Sequence, residues 1–196
     1  DLAEAQPILA DVLTNGVTSK GMAYGLEDDL DNNFNALTEN GKESVFAVQY
    51  SNAAENMGGA PFCLAYPHNT GPGGCCGFYQ PSFELVNSFQ VDANGLPYLN
   101  GEYRTKKSVS VRNSDSSQDA VLAVNDNNIA VDPRLDFAVG RFGIPYKDWG
   151  FPENGWVRDA TNGGIFMPKK HVYSKAEDAA GMKALYGGWA PGSAMN

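Results

Sequence analysis

Apolar residues recur at helical spacing at the start of the chain. Over residues 2–14 they lie three and four positions apart, on one side of a helix: Leu2, Ala5, Ile8, Leu9, Val12 and Leu13. Pro7 falls inside this pattern, so the helix either kinks there or begins near Gln6. Asn15-Gly16 is a common way for a helix to end. The pattern therefore predicts an amphipathic helix over residues 2–14.

Three later segments have weaker patterns. A short helix is predicted around residues 26–36, because acidic residues favour a helix N-terminus. Residues 43–50 are rich in β-formers and predict a strand. In residues 131–140 three apolar side chains alternate with Asp136 and Ala138, which predicts a half-buried strand; they are Leu135, Phe137 and Val139.

Two more helices are marked by their first residues. Pro81 suits the first position of a helix over 81–89, whose buried face is predicted to hold Leu85, Val86 and Phe89. Ser174 and Glu177 match a capping box, which predicts a helix from there to about Tyr186.

Long irregular segments separate these elements. Residues 51–77 form one loop rich in Gly, Pro and Asn, and residues 141–167 form a second, aromatic loop. Loops of that length are often functional. The predicted fold is therefore mainly α, with extensive irregular loops and a few short strands. Four phenylalanines are expected in its core: Phe46, Phe83, Phe89 and Phe137.

Charge excludes some partners. The net charge is -9 and the pI is about 4.6, so nucleic acid and anionic membrane surfaces would repel the chain. No apolar run reaches the roughly 20 residues that span a bilayer. No metal-ligand spacing is present, so neither a metal nor another cofactor is expected. The acidic cluster from Asp115 to Asp126 could supply oxygen ligands to Ca²⁺, but a solvated face is favoured.

Three cysteines leave two interpretations open. Cys75 and Cys76 read as two ordinary buried thiols, which is the favoured interpretation. A single bridge from Cys63 to one of them is the alternative.

Two signatures in order carry a resemblance to a known family. The first is Gly77-Phe78-Tyr79-Gln80-Pro81-Ser82-Phe83-Glu84-Leu85-Val86-Asn87-Ser88-Phe89. The second is Asp132-Pro133-Arg134-Leu135, followed by Arg141-Phe142-Gly143-Ile144-Pro145-Tyr146-Lys147-Asp148-Trp149-Gly150 and Pro168-Lys169-Lys170-His171. Together they resemble the SusD/RagB family of outer-membrane nutrient-binding lipoproteins of Bacteroidetes-type bacteria.

The resemblance implies an architecture and a role. Residues 1–196 would be one fragment of a larger SusD-like protein. Residues 1–42 would end its tetratricopeptide-type helical region, and residues 43–196 would form its ligand-facing loop region. The whole protein would bind a glycan at the cell surface, held to the outer membrane through a lipid anchor absent from this fragment. Its partner would be a SusC-like TonB-dependent transporter.

Sugars bind to proteins through aromatic rings that stack on their C–H faces and through polar groups that meet their hydroxyls. The candidate ligand-binding residues lie in the two loops: Tyr66, His68, Phe78, Tyr79, Tyr146, Asp148, Trp149 and Trp156. Asn154 and Asp159 are further polar candidates. Packing in the core or at an interface is the competing explanation for each aromatic residue.

Three other functions remain open at this point. Asp148, Glu153 and Asp159 could serve a glycoside hydrolase, because such enzymes use paired carboxylates. A cysteine nucleophile is conceivable, since Cys75 or Cys76 could pair with His68 or His171. The chain could also be an interaction module that acts only as a transporter lid. No spacing marks a catalytic pair, so no enzyme activity is expected.

Overall fold

The computed structural model describes six stretches of the chain: residues 1–48, 66–74, 76–112, 123–125, 129–160 and 164–181. The chain divides into two compact units, Asp1–Ser51 and Asn52–Asn196. Short helices and irregular loops prevail in the described stretches, and the strands there are few and short. This agrees with the class predicted from the sequence. The acidic residues of the cluster from Asp115 to Asp126, which are Asp115, Asp119 and Asp126, lie outside the described residues.

The first unit opens with the predicted helix, α1, at Leu2–Asn15. Asp1 is its N-cap and forms a capping box with Glu4, so the helix begins well before Pro7. It ends at Gly16, whose backbone N–H donates to the Val12 carbonyl over 2.9 Å. Four residues of its apolar side are exposed: Leu2, Ile8, Leu9 and Leu13.

The helix predicted for residues 26–36 is replaced by two single-turn 3₁₀ helices, Leu30–Asn33 and Ala36–Thr38. Asp29 and Asn35 cap them, because each side chain accepts a hydrogen bond from a backbone N–H two residues later. These local bonds interrupt the α-helical pattern that the acidic residues suggested.

The strand predicted for residues 43–50 is wrong over its described part, residues 43–48, which forms turns and bends. The Glu43 carboxylate accepts hydrogen bonds from the Glu27 backbone N–H, at 2.8 Å, and from the Asn33 amide, at 3.0 Å. Those bonds tie the segment to a neighbouring loop instead of a β-ladder. Phe46, expected in the core, is exposed.

Among its described residues, the second unit has three short α-helices and two small sheets. The helices are α2 at Phe83–Ser88, α3 at Arg134–Ala138 and α4 at Lys175–Ala179. Single 3₁₀ turns lie at Glu102–Thr105 and Asn154–Trp156. β1 at Ser110–Arg112 pairs antiparallel with β2 at Ala123–Asn125, and β3 at Val139–Gly140 pairs antiparallel with β4 at Met167–Pro168. In the second pair Val139 lies opposite Pro168.

The strand predicted over residues 131–140 is mostly helix α3. The Asp132 side chain accepts from the Arg134 N–H at 2.9 Å, and the Asp132 carbonyl accepts from the Leu135 N–H at 3.0 Å. These bonds start a helical turn, which overrides the alternating pattern. Val139 and Gly140 form the short strand β3, and Val131 forms an isolated antiparallel bridge with Gln90.

Helices α2 and α4 differ from their predictions at the ends. Ser82, not Pro81, caps α2, and its hydroxyl accepts from the Leu85 N–H at 3.1 Å. Leu85 is exposed, whereas Val86 is buried as predicted. The capping box of α4 is confirmed, but the helix ends at Ala179, and the rest of its predicted length, residues 182–186, lies outside the described residues.

The core of the second unit is rich in aromatic side chains. Phe83 and Phe89 pack against it, as expected from the sequence. Its buried members are Tyr66, Val86, Val109, Leu135, Val139, Phe142, Tyr146, Trp156, Val157, Ile165, Phe166, Met167, Val172 and Tyr173. Several aromatic residues of the two predicted loops therefore serve as core.

Candidate functional site

A glycine turn carries the chain to the candidate site. Gly77 has a φ of +66°, which side-chain-bearing residues rarely adopt, and its N–H donates to the Tyr66 carbonyl over 2.8 Å. A Cβ at this position would lie 2.9 Å from the Cβ of Arg158 and 3.0 Å from that of His68. Glycine is therefore required for this loop to lie directly against the segments that carry His68 and Arg158.

Gln80 fixes the far end of the same loop. Its amide oxygen accepts from the Asp159 backbone N–H at 2.9 Å, and its amide nitrogen donates to the Gly164 carbonyl at 2.8 Å. One side chain thus joins two parts of the chain that are distant in sequence. The aromatic pair between Gly77 and Gln80 is held at both ends.

Phe78 and Tyr79 form the exposed part of this loop. Their side chains are 53% and 60% exposed. The Arg158 guanidinium lies over the Phe78 ring, 3.9 Å from its centroid, and donates to the Cys76 carbonyl at 3.0 Å. We call Phe78, Tyr79, His68 and Arg158 the aromatic surface.

Cys76 is disulfide-bonded. The favoured interpretation of the vicinal pair as two free thiols is therefore wrong for Cys76. The disulfide adds a covalent anchor at the start of the exposed loop. It also removes Cys76 as a nucleophile.

His68 lies half-buried beside the exposed rings. Its backbone N–H donates to the Trp156 carbonyl over 2.9 Å. Partial burial lowers the pKa of its imidazole, and the nearby charge of Arg158 lowers that pKa further, against a hydrogen bond with the Gly155 backbone. The side chain is therefore neutral at pH 7 and offers the site a polar group without a charge.

Three of the predicted ligand-binding aromatics, Tyr66, Tyr146 and Trp156, are buried instead. Tyr146 and Trp156 meet edge to face with ring centroids 5.3 Å apart, and the Tyr146 hydroxyl donates to the Pro168 carbonyl. Burial raises the pKa of Tyr146 well above its usual value. These rings offer no open face to a sugar in this structure, because core packing surrounds them. They support the aromatic surface from beneath.

Trp149 and Asp148 both have hydrogen-bond partners near the start of α4. The indole N–H of Trp149 donates to the Tyr173 carbonyl at 2.9 Å, and the ring is partly buried. The Asp148 carboxylate accepts the backbone N–H groups of Lys175 and Ala176, at 2.6 and 2.8 Å. Asp148 thus satisfies donors at a helix N-terminus, a stabilising place for a carboxylate.

Several residues of the second sequence signature contact other parts of the second unit. Arg134 pairs with Asp132 and lowers the pKa of that carboxyl group to about 2. Arg141 is buried and forms two parallel hydrogen bonds to Asp136, at 2.7 and 2.8 Å. The Lys169 ammonium donates to the Pro145 carbonyl at 2.8 Å. These residues fix the loops of the second unit, so they explain the motif without a ligand.

Sequence reasoning selected Phe78, Tyr79 and His68 for this surface but missed Arg158. Its contacts with Phe78 and Cys76 cross about eighty residues of sequence, so no local pattern shows them. The available signal was a basic side chain directly after Trp156 and Val157, in an acidic chain.

Comparison with known proteins gives a match to one protein-family model. A model described as the SusD family matches residues 42–186, which is most of the chain. A search of curated proteins found no match. In the described residues no helix is long and apolar enough to cross a membrane. The same residues contain no cluster of three or more His, Cys, Asp or Glu side chains that could hold a metal ion.

Proposed function

The chain belongs to the SusD family, and from this premise we propose that it binds an oligosaccharide noncovalently at the bacterial cell surface and delivers it to a SusC-like TonB-dependent transporter. Proteins of this family bind carbohydrate, are not enzymes and work with such a transporter. They are typically lipoproteins at the surface of the outer membrane. We propose the same location for the full-length protein.

One observation carries the sugar-binding proposal: two adjacent exposed rings, Phe78 and Tyr79, on a loop whose backbone is fixed. Exposed aromatic rings gain free energy by stacking on the C–H face of a sugar. Because Gly77, Gln80 and the Cys76 disulfide already order the loop, binding loses less conformational entropy than it would on a free loop. This supports the aromatic surface as the glycan site.

We further propose the division of labour along the chain. Residues 1–42 would be the end of a tetratricopeptide-type helical region, and residues 43–196 the ligand-facing region of one larger protein. The exposed apolar side of α1 supports the first part, because such a face normally packs against another helix. The family match from residue 42 onward supports the second.

The test compares three exposed aromatic residues. Phe78→Ala and Tyr79→Ala should each weaken binding of the best oligosaccharide in a panel by about tenfold, the factor that 1.4 kcal/mol brings. Phe151→Ala is the matched control, because Phe151 is also 60% exposed and lies outside the aromatic surface. Titration calorimetry measures the affinities. Equal affinities for all four proteins would reject the aromatic surface as the site.

A second measurement separates binding from the alternatives. Incubation with the same panel should release no new reducing ends, whereas a glycoside hydrolase would produce them. Retention of the protein in gels containing polysaccharide should occur for a sugar binder and be absent for a lid that only contacts the transporter.

A further inference from the structure

Arg158 differs from the other arginines whose side-chain contacts are described. Three other arginines have described contacts, and each pairs with a carboxylate: Arg104 with Glu84, Arg134 with Asp132 and Arg141 with Asp136. Within the described residues Arg158 has no such pair. An acidic chain thus leaves one exposed arginine without a carboxylate, beside its exposed aromatic rings.

The Arg158 side chain is held in place even though it is exposed. One of its five N–H groups donates to the Cys76 carbonyl, and the planar guanidinium rests on Phe78 at 3.9 Å. Its Cβ packs against Gly77, where no side chain intervenes. Such a fixed guanidinium loses little rotamer entropy when its remaining N–H groups bind an anion.

The electrostatics around the rings agree with this geometry. The charge that acts on the imidazole of His68 is the positive charge of Arg158, which disfavours protonation of the ring. The guanidinium therefore places a positive charge beside the exposed rings, where it can attract a negative group.

We propose that the glycan recognised here is acidic, and that Arg158 binds the carboxylate or sulfate group that it carries. This inference rests on the proposed function. The guanidinium covers one face of Phe78, so the exposed fraction of that ring belongs to its other face and its edge. A sugar stacks there, and the anionic group of that sugar or of its neighbour passes the ring edge to reach the guanidinium. The planar fork of N–H groups matches the oxygen atoms of a carboxylate or a sulfate.

The test uses ligand pairs that differ only in charge. Oligogalacturonate is compared with its methyl ester, and a sulfated galactan oligosaccharide with its desulfated form, by titration calorimetry on the full-length protein. We expect at least one acidic ligand to bind about tenfold more tightly than its neutral partner, and the pair that does so separates carboxylate from sulfate. Raising the salt concentration should reduce this preference.

Variants assign the preference to one side chain. Arg158→Gln should lower the affinity for the acid to that for its neutral partner and leave the neutral affinity unchanged. Arg104→Gln is the matched control, because Arg104 also lies on an aromatic ring but pairs with Glu84; it should keep the preference. If Arg158→Gln also loses the neutral ligand, Arg158→Lys decides: a retained preference supports the proposal, and a lost one overturns it.

Two outcomes overturn the proposal in different ways. Equal affinity for charged and neutral partners rejects the acidic ligand but leaves glycan binding intact. Absence of binding to every sugar in the panel, charged or neutral, rejects the proposed function together with this inference.

Discussion

The second unit has two pairs of an arginine and an aromatic ring that differ in the partner of the guanidinium. Arg104 lies over Tyr103 at 5.3 Å, and Arg158 lies over Phe78 at 3.9 Å. Glu84 accepts hydrogen bonds from both members of the first pair, at 2.8 Å from the Tyr103 hydroxyl and 2.7 Å from Arg104. The second pair has a backbone carbonyl in that place.

The difference lies in what remains unsatisfied. In the first pair, the Glu84 carboxylate is the partner of both the Arg104 charge and the Tyr103 hydroxyl. The Cys76 carbonyl takes one N–H group of Arg158 and leaves its charge uncompensated. A solvated ion pair contributes little to stability. Our proposal therefore assigns ligand binding to the second pair, Arg158 with Phe78.

The largest effect should come from the support beneath the second pair. Trp156 is only 6% exposed, its ring packs on Tyr146, and its carbonyl accepts the His68 N–H. Trp156→Ala should lower the free energy of unfolding by about 3–5 kcal/mol, since it leaves a cavity in the core. Urea denaturation measures this. Phe151→Ala, on an exposed ring, should stay within about 0.5 kcal/mol of the wild type.

A loss below about 1 kcal/mol in Trp156→Ala would contradict the core assignment. It would restore the sequence-based expectation that this ring contacts sugar. The structure instead predicts that the variant loses glycan binding only as far as it loses its fold.

An intermediate effect should follow from releasing the loop end. Gln80→Ala removes the bonds to Asp159 and Gly164 and should cost about 1–3 kcal/mol, because the partly buried Gly164 carbonyl loses this partner. Hydrogen exchange should become faster at the Asp159 amide. The Arg104 amide, which donates to Gly101, is the internal control and should not change. Equal acceleration at both amides would mean that the side chain stabilises the whole unit and not this loop.

The smallest effect should be a difference in how stability depends on pH through His68, beside the second pair, and Glu84, in the first. The pKa of His68 is lowered on folding, so its stabilising contribution is complete above pH 6.5, the ordinary value. It is lost as the pH falls from there to the lowered pKa. The pKa of Glu84 is also lowered, chiefly by its hydrogen bonds with Arg104 and Tyr103, so that contribution is complete above 4.5 and is lost only below it.

Matched variants check these two windows. Thermal melts in a pH series should show that His68→Gln removes a decrease in stability below pH 6.5, while Glu84→Gln removes one below pH 4.5. A decrease below pH 6.5 that persists in His68→Gln would assign it to another group.

The sequence predicted the elements whose signals are local. The capping box predicted at Ser174 with Glu177 was followed by a helix, because its donors and acceptors lie three residues apart. The Asn15-Gly16 stop was also correct. Phe78 and Tyr79 were correctly singled out as aromatic residues presented by a glycine turn.

The errors arose where distant contacts decide the outcome. Residues 134–138 alternate in polarity but fold as a helix, because Asp132 binds the backbone N–H group of Arg134. Trp156 and Tyr79 look alike in a loop of aromatic residues, yet one is core and the other surface. Asp148 was expected near a sugar, but its partners are the amides of Lys175 and Ala176, which no spacing rule indicates.

The bonds that build the aromatic surface have a consequence for the order of folding. The partners of Gln80 lie 79 and 84 positions further along the chain, and Arg158 contacts Cys76, which precedes it by 82 positions. Contacts with such separations form only after a long segment has closed, and closure opposes them with chain entropy. We therefore expect the surface to assemble late in folding and to be absent from the unfolded chain. A glycan that binds there binds only the folded protein, so it should raise the melting temperature with increasing concentration.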